Sequence, residues 1–153
     1  MVSLARRDQG PEEPRRPTSL DVDALTVAMA IAPGVYSRNR FYELFKAPEL
    51  RRARSRASLV RGVVKHLGML AGEDAGQPLL AMERHPGRVV LRYSVPSLCF
   101  ERRTDVSELE ASCVLYLAER AGLPGLAPSA AERDALHVAL VRLAGGEVAR
   151  LLR

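Results

Sequence analysis

The segment from Pro48 to Ala71 constrains the fold more than any other part of the chain. Leu50, Ala53, Ala57, Val60, Val64 and Leu67 recur in alternating three- and four-residue steps, which is the signature of one apolar stripe along a helix. Such a helix cannot stay alone in water, so the chain must supply other elements to cover the stripe. Arg51, Arg54, Ser58, Arg61 and Lys65 follow the same steps one position later. At 100° per residue they fall within a sector of about 80° beside the stripe. The pattern therefore predicts a helix with a core face and an adjoining basic ridge, with Arg52 and Arg56 on the opposite flank.

The rest of the chain offers several elements that could cover this helix. Residues 1–18 carry Pro11, Pro14 and Pro17, mixed charges and no apolar period, and are expected to form a disordered arm. Residues 19–153 are expected to form a single globular domain. Asp21 to Ala32 predicts a first helix capped by Ser19 or Asp21 and rich enough in Ala and Val to be buried on several sides. A short second helix is expected over Ser37 to Lys46, with Phe41, Leu44 and Phe45 on one face. Pro48 suits the first turn of the third helix, where its missing N–H costs nothing.

Beyond a loop at Gly72 to Gln77 the period changes. His85-Pro86-Gly87-Arg88 has the pattern of a type II turn, joining a strand over Leu79–Arg84 to one over Arg88–Val95. Val89, Leu91, Tyr93 and Val95 alternate with Arg88, Arg92 and Ser94, so the second strand has one buried face. Leu98–Arg102 is expected to add a third strand. Asp105-Val106-Ser107-Glu108 looks like the capping start of a helix reaching Ala121, and Ser129-Ala130-Ala131-Glu132 like that of a last helix weakened at Gly145-Gly146. The expected fold class is α+β, mostly α: three N-terminal helices, a small antiparallel hairpin or meander and two C-terminal helices. This is a winged-helix-like order.

Charge sharpens the reading. The net charge of +5 comes from 21 Arg and 2 Lys against 18 acidic residues. An arginine excess with abundant Ala and Leu is what a GC-rich, bacterial coding sequence produces, and it weakens a high pI as an argument for nucleic acid. Its distribution is more telling: −1 over residues 1–35, +7 over 36–66, +1 over 67–104 and −2 over 105–153. Codon bias acts on the whole chain and does not explain a basic segment of about thirty residues.

No residue pattern in the chain points to a specific chemistry. Cys99 and Cys113 form no pair or framework and read as small buried hydrophobes. His66, His85 and His137 lie far apart without another ligand at metal spacing, and no phosphate loop or nucleophile elbow is present. No catalytic residue, metal or cofactor is expected. No membrane-spanning stretch is present, the start of the chain lacks the apolar region of a signal peptide, and a cytoplasmic location is expected.

Two functions fit. In the first, the third helix binds nucleic acid through Arg51, Arg54, Ser58, Arg61 and Lys65, while Arg84, Arg88 and Arg92 on the hairpin reach the adjoining backbone as a wing would. The C-terminal helices would then pair two copies as a homodimer. The scarcity of Asn, Gln and Thr on the ridge favours phosphate contact over base reading. In the second, the protein is a non-enzymatic adaptor or regulatory subunit whose basic ridge meets an acidic protein surface.

Overall fold

The computed structural model describes residues 19–31, 46–72, 79–95, 100–123 and 125–144. Four helices and three strands lie within them: α1 Ser19–Ile31, α2 Ala47–Gly72, β1 Leu79–His85, β2 Arg88–Val95, β3 Phe100–Val106, α3 Glu108–Arg120 and α4 Ala130–Ala144. The fold is α+β and mostly helical, with one antiparallel sheet in the order β1-β2-β3. Four helices stand where five were expected, two of them ahead of the hairpin. Residues 37–45 of the expected short second helix lie outside the described residues, as do the expected N-terminal arm and the Gly145-Gly146 break.

The elements form for local reasons that the packing then exploits. In α1, Val22, Ala24, Leu25 and every residue from Val27 to Ala30 are buried, so this helix runs through the interior. Thr26, also buried, turns its hydroxyl back to donate to the Val22 carbonyl at 2.9 Å, which satisfies it without an outside partner. α1 packs against α2, α3 and α4 and is the hub of the helical layer. At the start of α2 the Lys46 N–H donates to Glu49 Oε1 at 2.8 Å, occupying a backbone donor that the helix itself cannot use.

The hairpin has the predicted two-residue turn. His85 pairs with Arg88 across Pro86-Gly87, and Gly87 has φ of 78°, the left-handed value that the third position of a type II turn requires. From the pairing, Val89, Leu91 and Tyr93 of β2 share a face with Met82 and Arg84 of β1 and with Thr104 and Val106 of β3. Val89, Leu91 and Tyr93 are fully buried, and they join Leu67, Val60, Leu25, Leu136 and Leu140 in one core. His66 of α2 meets the Tyr93 ring edge-on, with centroids 5.7 Å apart.

Two boundaries differ from expectation. The third strand, expected over Leu98–Arg102, runs on to Val106, while Leu98 and Cys99 lie outside the described residues: Arg103, Thr104 and Asp105 pair with β2 through their backbones despite their polar side chains. Asp105 and Val106 therefore end a strand, and Ser107 alone connects it to α3. Ser107 is the N-cap, its hydroxyl accepting from the Glu110 N–H at 3.1 Å, while Glu110 Oε1 accepts from the Ser107 N–H at 3.0 Å. The capping box is Ser107–Glu110, two residues later than the Asp105 start expected. The second box is where it was expected, with Ser129 and Glu132 exchanging the same two bonds at 2.8 and 3.1 Å.

Candidate nucleic-acid interface

The helical phase inferred for α2 is the one observed. Leu50, Ala53, Ala57, Val60 and Leu67 are buried and Val64 is half-buried, whereas Arg51, Arg54, Ser58, Arg61 and Lys65 are all exposed. From Arg51 to Lys65 the ridge runs about 21 Å along the helix at 1.5 Å per residue. No carboxylate occurs in α2 after Glu49, so nothing on the helix itself offsets these charges. Ser55 and Gly62 are exposed beside them, and Met69, 63% exposed, extends the line one turn beyond Lys65.

The three hairpin arginines are placed differently. The sheet register puts Arg84 on the inner face, at the end nearest the starts of α3 and α4, and Arg88 and Arg92 on the outer face. Arg84 pairs with Glu108 and, at 3.2 Å, with Glu132. Arg88 pairs with Asp105 at 2.9 Å. Arg92 Nε lies 3.4 Å from Glu83 Oε2, short of hydrogen-bond geometry, and that Nε is enclosed without a hydrogen bond. Each of the three thus has a carboxylate of this chain beside it, and they form neither one surface nor a continuation of the ridge.

The separation has a geometric cause. The hairpin turn meets α2 on the flank of Arg52 and Arg56, roughly 140–180° round the helix from the middle of the ridge. There Val22, Asp23, Arg52, Arg56, Arg88, Asp105 and Glu110 are among the residues that line a cavity of about 250 Å³. Its centre of charge is a two-bond grip: Arg56 Nε donates to Glu110 Oε2 at 3.1 Å and Nη2 to Oε1 at 2.6 Å. A further bond runs from Nη2 to the Asp105 carbonyl at 2.8 Å. Hydrogen bonding to Glu110 makes Arg56 hold its proton more tightly than usual. Burial, helped by the nearby Glu110 carboxylate, raises the Asp23 pKa, and Arg52 and Arg56 offset only part of this.

Nothing in the sequence marked Asp23, Arg56 and Glu110 as a group, because 54 residues separate Arg56 from Glu110. The one available signal was the position of Arg56 off the ridge, on a flank that faces other elements. Cys113 is buried as expected, and burial, with Glu110 nearby, pushes its thiol pKa far up, so it remains a neutral thiol. Among the described residues no group of three or more His, Cys, Asp or Glu is arranged to hold a metal ion, and no helix is long and apolar enough to cross a membrane. The chain matches no protein-family model, no curated protein and no solved structure.

Proposed function

We propose that the protein binds nucleic acid through its phosphates, with the outer side of α2 as the contact surface. The observation that carries this reading is the exposure of Arg51, Arg54, Ser58, Arg61 and Lys65 together along one side of a helix with no acidic residue beyond its first turn. Four cations spread over about 21 Å match a polyanion better than a single small anion. Arg84, Arg88 and Arg92 are left out of the contact because each has an acidic neighbour in its own chain. The binding is expected to show little sequence preference, since Ser58 is the one uncharged hydrogen-bonding side chain of the ridge.

The test is fluorescence anisotropy with labelled random duplex DNA, single-stranded DNA and RNA at several salt concentrations. Four phosphate contacts on a duplex predict a log–log salt slope of about −3.6. Arg61→Glu combined with Lys65→Glu should abolish binding while the melting temperature stays near that of the parent. Absence of binding at low salt would reject the proposal and favour an acidic protein surface as the partner of the ridge, a reading to which the exposed Met69 at its end lends support.

A further inference from the structure

Helix α4 presents apolar residues on two sides. Leu136, Ala139 and Leu140 are buried against the rest of the molecule, where α4 packs on α1 and α3. The other side carries Ala131, Ala135, Val138 and Val141, all exposed, with Val138 at 63% and Val141 at 39%. These two valines and Met69 are the exposed large hydrophobic residues among those described. A single exposed valine needs no explanation, but a line of small and branched apolar residues on one helix face does.

The order of residues along this face says what would cover it. Asp134, which is exposed, and Arg142 each stand four residues from Val138, on either side of it. Ala135 and Val141 each stand three residues from it. The face is therefore complementary to itself when reversed about Val138, with apolar positions matched and opposite charges facing. If a second α4 is laid against it antiparallel, with a two-fold axis at Val138, then Val138 meets Val138. Ala135 meets Val141, and the acidic position 134 stands opposite the basic position 142, twice over. A two-fold interface requires this kind of self-complementarity. The alanines let two helices approach to the usual 8–10 Å, and the antiparallel arrangement opposes the helix dipoles favourably.

We infer that this face of α4 is a homodimer interface, closed by an antiparallel α4–α4 pair centred on Val138. The buried side of α4 packs on α1 and α3, which leaves the Val138 side outward. The inference does not depend on what the ridge binds.

Sedimentation equilibrium of the full chain over a wide concentration range should show a mass rising from that of the monomer to twice it. Val138→Glu places two carboxylates on the axis and should hold the chain monomeric, with unchanged circular dichroism because the side chain points to water in the monomer. Asp134→Arg creates two like-charged pairs and should raise the dissociation constant about tenfold. Adding Arg142→Asp to it should restore the parent value, since both pairs reappear reversed. A chain monomeric at every concentration would overturn the inference, as would a dimer indifferent to Val138→Glu or a double swap that fails to recover. Should Val138→Glu not fold, the charge swap and its rescue decide alone.

Discussion

Arg56 and Glu110 meet through two parallel hydrogen bonds although 54 residues separate them, and Glu110 is simultaneously the residue that closes the capping box of α3. The same carboxylate thus holds a local helix start and a long-range contact. Its side chain is 3% exposed and that of Arg56 34%. Removing the arginine leaves an enclosed carboxylate with only its capping bond. Arg56→Ala should cost about 3 kcal/mol, the low end for breaking a buried pair because Arg56 is partly solvated. Urea unfolding measures it. The Arg56→Leu, Glu110→Leu double variant should recover much of the loss, and a full additive loss would show that the pair itself is not what matters.

Asp23 predicts a response to acid. The folded chain holds its proton more tightly than the ordinary value of 3.8 reflects, chiefly because the carboxyl is partly buried. Ionising it therefore costs stability, and the cost sets in as pH rises from 3.8 through the raised folded value. Asp23→Asn should melt higher than the parent at pH 7, and the gap should close below pH 3.8. A gap that persists in acid would mean that the carboxyl geometry, not its charge, is responsible.

At the start of α4 the sign reverses. Burial opposes ionisation of Glu132, but the hydrogen bonds from Ser129 and the Arg84 guanidinium outweigh it and lower its pKa below 4.5. That stabilisation is present at neutral pH and disappears as pH falls through the folded value. Ser129→Ala should cost about 1 kcal/mol at pH 7, as loss of an N-cap commonly does. The penalty of Glu132→Gln should shrink toward zero in acid, which thermal melts across pH will check.

Two glycines should answer a single added methyl in opposite directions. A Cβ at Gly62 would meet no atom within 4 Å, and the residue sits in the middle of α2. Gly62→Ala should therefore stabilise the chain by roughly 0.5–1 kcal/mol. Gly87 has equal space but a φ of 78°, so Gly87→Ala should destabilise by about 1 kcal/mol through backbone strain alone. Paired denaturation curves separate the two effects.

What could be read from the residues follows their physical range. The phase of α2, the Pro86-Gly87 turn and the Ser129 cap are decided within a few residues, and each lies where its pattern put it. The end of β3 was hidden because Glu101 to Asp105 are polar: an edge strand is held by backbone pairing, which leaves no apolar alternation to find. Arg88 and Arg92 read as free cations on a hairpin because nothing local says that Asp105 and Glu83 come to face them. Arg56 could be placed off the ridge by its phase alone, but its carboxylate is set by how α3 crosses α2, and that is a property of the packed molecule.

The single-residue passage from β3 into α3 has a consequence for how this chain tolerates change in length. Ser107 is both the whole of the linker and the first cap, so the orientation of α3 is indexed to the pleat of the sheet. One residue inserted there would turn the helix by about 100°. That would swing Glu110 away from Arg56 and present a different face to α1. Between α3 and α4, by contrast, the connection is longer, and although Leu123 and Leu126 pack on the core, Gly125 between them is exposed. Natural or engineered length variation should accumulate at that second joint and be purged from the first, so that sheet and helices behave as parts of one gear train and not as two hinged pieces.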